Sequence, residues 1–250
     1  MKKTFSVAVA TVLFLLAGTA QADDAVFAFA WTFIESLGRY HTANVLRYEQ
    51  QSTVDPKNLL TLSGYVDFMT SFEGQNRLLK EAADLIGPYQ NDQRLTPLGR
   101  QIAQLTALEY RESIEINKEA ASLLRAFAPD AEVSETIKAM KTSQRLIEIR
   151  SRRDAVDTDV SRMAAGLTHV ILGVEELQAR QDIPRDLPMG EVARLRLTGV
   201  EFRGLITRLE EIFGPTVKQY VEKDEKAAPG AAYLLWKFLA TSGFRASDER

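Results

Sequence analysis

The eight prolines of this chain mark the limits of long segments with helical periodicity. Proline suits the first turn of a helix, where its missing N–H would have no partner, but it breaks a helix interior. The prolines lie between apolar-periodic segments, at Pro56, Pro88, Pro97, Pro129, Pro184, Pro188, Pro215 and Pro229. Their positions therefore predict where the helices begin and end.

The segments between the prolines are predicted to be helices and not strands. No stretch combines alternation of apolar and polar residues with β-branched enrichment, which is the pattern of a strand. The predicted helices lie near residues 24–52, 57–86, 97–127, 131–180, 189–213, 216–227 and 231–241. The longest irregular stretch is predicted at residues 87–96.

Four dipeptides at the boundaries support these limits. Two have an N-cap residue followed by proline, which starts a helix, and two have glycine followed by proline, which is typical of a helix end. The starts are Asp55-Pro56 and Thr96-Pro97, and the ends are Gly87-Pro88 and Gly214-Pro215.

The fourth and fifth predicted helices each carry an apolar stripe. The stripes run Val156, Val160, Met163, Leu167, Val170, Val174, Leu177 and Val192, Leu195, Gly199, Phe202, Ile206, Leu209, Phe213. One-sided stripes require a partner helix at a shallow crossing angle, and the short connection at 181–188 predicts an antiparallel hairpin. We therefore predict an all-α fold, an elongated and mostly antiparallel bundle of about six or seven helices with coiled-coil-like packing. Residues 23–250 would form one domain, or two sub-bundles that share the helix at 131–180.

The first 22 residues have the pattern of a secretory signal peptide. Lys2 and Lys3 precede the apolar run Phe5–Leu16, which is too short to span a bilayer, and Ala20-Gln21-Ala22 is a small-x-small cleavage pattern. Cleavage is expected after Ala22, and no later segment is long and apolar enough to cross a membrane. We therefore predict an exported, periplasmic protein.

Composition narrows the possible functions of the exported chain. Without Lys2 and Lys3 the 31 basic side chains become 29, against 34 acidic ones, so the formal charge falls from −3 to −5. A mildly acidic protein is not expected to bind nucleic acid. The chain has no cysteine, which excludes disulfides, thiol catalysis and cysteine-ligated zinc and fits an oxidising compartment.

A block of charged residues, IEIRSRRDAVDTDVSRM at 147–163, lies within the fourth predicted helix. Four functional or structural interpretations apply to it: calcium binding, anion binding, a protein interface, and a ladder of surface ion pairs. The ladder is favoured for most of the block, because opposite charges three or four residues apart meet on a helix surface. The pairs would be Glu148–Arg152, Arg150–Asp154, Arg153–Asp157 and Asp159–Arg162.

Arg153 does not fit a purely solvated surface. Steps of three and four residues backwards from Val156 reach Arg153 and then Ile149, so Arg153 lies on the apolar stripe. On the third predicted helix, Glu109 and Glu112 lie on the apolar face in the same way. These positions indicate charged side chains that face the core.

The predicted turn at 128–130 would make the third and fourth helices antiparallel. The two glutamates and the arginines would then lie within a few ångströms of the same level, at roughly 1.5 Å rise per residue. We predict a polar layer of Glu109, Glu112, Arg150 and Arg153. It would either fix the register of the helices or form a pocket for a small anionic ligand, with a glutamate in acid–base or hydrogen-bonding work. All-helical chorismate mutases use arginines and a glutamate in this general way, a similarity of chemistry and not of motif.

No metal site or cofactor is predicted. Asp154, Asp157 and Asp159 cluster, but an EF-hand also needs a glycine at its sixth position and a glutamate at its twelfth, and that glycine is missing here. His41 is expected to be partly buried and hydrogen-bonded, and His169 to be exposed. Two isolated histidines without cysteine do not form a zinc site.

Two apolar segments, Ala25–Ile34 and Ala231–Phe244, are expected to be buried helices, with a partner or membrane surface as the alternative. Because no catalytic motif occurs, we predict a non-enzymatic envelope protein that acts by protein–protein interaction or self-association. The alternative function is binding of a small anionic ligand, or cofactor-free catalysis, by the Arg/Glu layer.

Overall fold

The computed structural model describes residues 24–47, 62–126, 143–172 and 199–221. Six predicted features are not covered by this description. They are the signal peptide, Asp55-Pro56, the turn at 128–130, the connection at 181–188, the side chain of His169 and the apolar segment 231–244. The regular structure within them is helical, without any strand, which confirms the all-α prediction for this part of the chain. None of the helices in these ranges is long and apolar enough to cross a membrane.

Five α-helices make up most of the described chain. We number them in chain order: α1 at 24–47, α2 at Leu62–Ile86, α3 at Pro97–Ala126, α4 at Gln144–Leu172 and α5 at Gly199–Val221. A 3-10 helix, Gly87–Asn91, follows α2 directly. The predicted irregular stretch at 87–96 is therefore partly helical, and only its second half is a turn.

Two of the predicted boundaries are confirmed. Helix α2 ends at Ile86, directly before Gly87-Pro88. Helix α3 begins at Pro97, and the Gly99 backbone N–H donates to Thr96 Oγ1 at 3.2 Å. Thr96 thus caps the helix by accepting from an N–H that has no partner within the first turn.

The predicted helix end at Gly214-Pro215 is wrong, because α5 continues through Pro215 to Val221. A proline ring normally restricts the residue before it by a clash with that residue's Cβ. Gly214 has no Cβ, so this part of the restriction is absent. The buried Phe213 and Leu209 hold the preceding turn against the core.

The prediction of one continuous helix at 131–180 is also wrong. Ser143 is not helical, and it accepts hydrogen bonds from the backbone N–H of Leu146 at its Oγ (3.4 Å) and of Ile147 at its carbonyl oxygen (3.1 Å). A serine side chain that satisfies such an N–H favours a helix start over a helix interior. Helix α4 therefore begins at Gln144.

Helix α1 lies at the centre of the described structure. It contacts each of the other four helices: Arg39 pairs with Glu81 of α2 at 3.5 Å, Tyr40 stacks on Tyr110 of α3 and donates to Asp157 of α4, and Glu35 accepts from Arg208 of α5. The segment Ala25–Ile34 is a buried helix, as predicted, apart from Ala28 and Trp31 on its outer face and two partly exposed side chains, Phe27 and Thr32.

Residue contacts fix the relative directions of the helices. Helix α3 is antiparallel to α4, since Ile102 lies against Gly166 and Asn117 against Arg153. It is antiparallel to α2, since the short stretch 87–96 joins them and Asn117 contacts Asn76. Helix α5 runs parallel to α1, since Trp31 lies against Gly204 and His41 against Phe213. In the described residues α5 packs on α1, with Ile212 against Gly38 and Phe213 against His41. The predicted α4–α5 hairpin, with its connection at 181–188, lies largely outside the described residues and stays a prediction.

Candidate functional site

A small polar cavity lies between the first four helices. Its free volume is about 10 Å³, which is close to the lower limit for holding one water molecule. The wall consists of Ala43, Asn44, Arg47, Gln75, Leu79, Ser113, Asn117, Arg153, Val156 and Asp157. Seven of these ten side chains are polar or charged. The cavity is partly open to solvent, since 34% of the Asp157 side chain is exposed.

The polar side chains occupy positions that the helical pattern assigns to the core. Arg153 lies between Ile149 and Val156, which are both buried. Asn117 and Gln75 are themselves buried, with 4% and 2% of their surface exposed. Polar residues from three helices therefore meet at one level inside the structure.

Arg153 is the cation of this cavity that has no acidic side chain within ion-pair distance among the described residues. Its Nη2 donates to the neutral amide oxygen Oδ1 of Asn117 at 2.9 Å, and its buried Nε has no hydrogen-bond partner in the described structure. Burial, and to a lesser extent the charge of Arg47, lower the pKa of Arg153 to about 10, while Asp157 acts in the opposite direction. The guanidinium therefore remains charged at neutral pH.

A chain of amides orients the partner of Arg153. Asn117 Nδ2 donates to Asn76 Oδ1 at 3.0 Å and to Gln75 Oε1 at 3.4 Å, and Gln75 Nε2 donates to Ser71 Oγ at 3.0 Å. Because the amide nitrogen of Asn117 is occupied in this way, its oxygen points to Arg153. This side of the cavity contains neutral groups only.

Asp157 lies on the other side of the cavity and is held by α1. Its Oδ1 accepts from the Tyr40 hydroxyl and from Asn44 Nδ2 at 3.5 Å, and its Oδ2 accepts from Arg47 Nη2 at 3.2 Å. Burial and the charge of Asp157 raise the pKa of Tyr40 well above its usual range, so Tyr40 remains a hydrogen-bond donor. The one carboxylate of the cavity thus has three donors, none of them from Arg153.

The structure does not bring the four predicted site residues together. Only Arg153 faces the cavity. Arg150 is exposed, and Glu112 pairs with Arg152 at 2.5 Å on the surface. Glu109 is half-buried, and burial together with Asp159 and Glu112 raises the pKa of its carboxyl group. The four residues therefore do not form one layer in the described structure. A ligand-binding role for Arg153, Arg150, Glu109 and Glu112 remains a prediction.

The register of α3 and α4 explains why the predicted partners differ from the observed ones. Asn117 lies nine residues before the end of α3 at Ala126, and Arg153 lies nine residues after the start of α4 at Gln144. A turn at 128–130 would have placed Arg153 level with Leu105, twelve residues and roughly three helical turns from Asn117. The antiparallel arrangement of α3 and α4 was predicted correctly, but the prediction of which residues meet at the same level was wrong.

The predicted ion-pair ladder is confirmed at one of its four pairs, Asp159–Arg162, at 2.7 Å. Arg152 pairs instead with Glu112 and with Glu119 of α3, at 2.5 and 2.6 Å. Asp157, which the sequence pattern placed on the solvated surface, bonds to α1. Ion pairs and hydrogen bonds between helices therefore take the place of most of the ion pairs predicted along α4.

Sequence reasoning missed the contribution of α1. Tyr40, Asn44 and Arg47 are four and three residues apart and so lie on one face of the helix. That spacing of polar side chains, directly after an apolar segment, was a readable signal. The acceptor that these three side chains share, Asp157 on α4, could not be found without the three-dimensional packing.

No family model, no curated protein and no solved structure matches this chain. Within the described ranges, no group of three or more His, Asp or Glu side chains is placed to hold a metal ion. The chemistry that the cavity offers is that of charged and neutral N–H donors around a small internal space.

Proposed function

We propose that this protein binds a small anion, without catalysis, at the cavity between α1, α2, α3 and α4. One observation carries the proposal: Arg153 is a largely buried cation whose side-chain hydrogen-bond partner is a neutral amide and whose Nε–H is unpaired. Burying a charge without a counter-charge is costly. An anion at this position would supply the missing partner through charge-assisted hydrogen bonds.

The contrast with other arginines supports this proposal. Arg208 binds Glu35 through two nitrogens, and Arg94 binds Asp92 in the same side-on way. Arg153 is more buried than either and has no carboxylate within ion-pair distance in the described structure. Asp157, the one carboxylate of the cavity, is engaged by Tyr40 and Arg47 and so is not positioned as a general base, which favours binding over catalysis.

The test is a ligand-dependent thermal shift with matched variants. Sodium formate, at concentrations well above its dissociation constant, should raise the Tm of the purified protein by several degrees, because it binds the native state only. Arg153→Gln should abolish the shift. Arg150→Gln, on the same helix but exposed, makes the same charge change and should keep it. Equal shifts in all three proteins would contradict the proposal.

A second candidate function is protein–protein interaction, which the surface of α1 and α5 favours. Trp31 and Val200 are large apolar side chains with 36% and 72% of their surface exposed. Trp31 lies beside Phe27 and over Gly204, one helical turn from Val200. Exposed apolar side chains that cluster are typical of contact surfaces.

This second function is tested by sedimentation velocity and by capture from envelope extracts. The double variant Trp31→Ser, Val200→Ser should lose self-association or a partner that the wild-type protein retains. The control is Leu108→Ser, which changes an isolated exposed side chain on α3. Identical behaviour of wild type and double variant would argue against this surface.

We also propose the setting in which either function operates. The described helices would belong to an elongated, mostly antiparallel bundle of six or seven helices. The chain would be exported after cleavage behind Ala22 and act in the periplasm. The absence of cysteine and the apolar run after Lys2 and Lys3 support this location.

A further inference from the structure

We infer that the cavity selects monovalent anions no larger than a single carboxylate or nitrate group and discriminates against dianions. This inference rests on the proposed anion binding and adds the charge and size of the ligand. It follows from the charges that line the cavity, from its volume and from the position of the unpaired N–H group.

The charges that act on Arg153 favour a single negative charge. Arg47 and Asp157 are the other charged residues of the lining, and they exert opposite effects on Arg153. Asp157 and Arg47 are bonded to each other at 3.2 Å, so their charges largely cancel at a distance. The remaining charge is that of Arg153, and a monoanion neutralises it. A dianion would leave a negative charge beside Asp157.

The volume of the cavity sets the second limit. A free volume of about 10 Å³ corresponds to about one water molecule, so a ligand must be compact. Chloride, formate and nitrate are each larger than one water molecule, so their binding requires side chains of the lining to move. A tetrahedral oxyanion such as sulfate is larger, more strongly hydrated and doubly charged.

The donors around the cavity suit a planar or spherical acceptor. The unpaired Nε of Arg153 lies on the same edge of the guanidinium as Nη2, which already donates to Asn117. One oxygen of a planar anion at this edge can therefore accept from Nε, and Ser113 is a further polar residue of the lining.

The experiment compares formate, nitrate and sulfate by isothermal calorimetry at pH 7, with a bulky sulfonate buffer salt keeping the ionic strength constant. For the wild-type protein we expect dissociation constants for formate and nitrate at least about tenfold below that for sulfate. Asp157→Asn removes the neighbouring negative charge and should shift the preference towards sulfate. Asn44→Asp adds a negative charge to the lining and should weaken all three anions.

Tm measurements serve as a second readout. Because sulfate stabilises most proteins by exclusion from their surface, the quantity compared is the Tm rise of the wild type minus that of Arg153→Gln. If Arg153→Gln does not fold, Arg153→Met replaces it, since methionine keeps an unbranched apolar stem and removes the charge and every donor.

The outcomes separate the two proposals. Binding of sulfate that depends on Arg153 and equals or exceeds that of formate would overturn the selectivity and leave anion binding in place. The absence of any Arg153-dependent binding would overturn the proposed function itself. Formate binding that depends on Arg153, with a preference that Asp157→Asn reverses, would support both.

Discussion

At the scale of single residues, His41 combines deep burial with an unsatisfied ring nitrogen. It lies between α1 and α5, with its ring edge-on to Phe213 at a centroid distance of 5.2 Å. Its Nε2 has no hydrogen-bond partner in the described structure, so the predicted hydrogen-bonded histidine is wrong at this nitrogen. Burial lowers the pKa of His41 to about 4, and the neutral ring acts as part of the apolar contact.

His41 predicts how stability changes with pH. In the unfolded chain its pKa is about 6.5, so between pH 6.5 and 4 the unfolded state binds a proton that the native state does not. Stability is therefore complete above pH 6.5 and falls as the pH is lowered, by roughly 3 kcal/mol in total. His41→Gln should lose less stability than the wild type between pH 7 and pH 4.5 in urea unfolding. Parallel losses in the two proteins would contradict the burial of His41.

At the scale of helices, the contact between α1 and α5 depends on Gly38. A Cβ at this position would lie 2.9 Å from Ile212 Cγ2, closer than real Cβ contacts allow. Gly74 in α2 has no such neighbour, since no atom lies within 4 Å of an added Cβ. The two glycines therefore separate the effect of packing from that of helix propensity.

We predict opposite effects for the two alanine variants. Gly74→Ala should stabilise the protein by up to about 1 kcal/mol through helix propensity alone. Gly38→Ala gains the same propensity and loses about 1–3 kcal/mol by overpacking against Ile212, so it should be the less stable of the two. The free energy of unfolding in urea checks the order. A Gly38→Ala protein as stable as Gly74→Ala would show that α5 does not pack on α1 at this point.

The helices also show what local sequence patterns determine. The limits of α2 and α3 follow from Gly87 and Thr96, because caps and prolines act within one turn. The core position of Arg153 follows from its spacing to Val156. The identity of its partner, Asn117, cannot be derived from local spacing, because the register of α3 and α4 depends on the chain that connects Ala126 to Gln144. The continuation of α5 through Pro215 was likewise missed. The prediction treated Pro215 as a helix end and did not consider that Gly214, which has no Cβ, weakens this effect of proline.

At the scale of the whole molecule, the predicted signal peptide sets where the exported chain begins. Purified envelope protein should begin at Asp23, as measured by N-terminal sequencing and intact mass. Ala20→Leu should prevent this cleavage, because the peptidase requires small residues at both outer positions of the motif. Gln21→Leu is the matched control and should be processed normally. A wild-type protein that retains residues 1–22 would contradict the signal peptide.

The central position of α1 also determines the order in which the described structure can be completed. Glu35 and Arg208 are bonded to each other although they are 173 residues apart in the chain, and Gly38 and Ile212 meet beside them. Contacts between segments so distant in sequence form late and slow the search for the native state. For a chain made from its N-terminus, the first of the described helices to be synthesised is therefore the one whose packing is finished last.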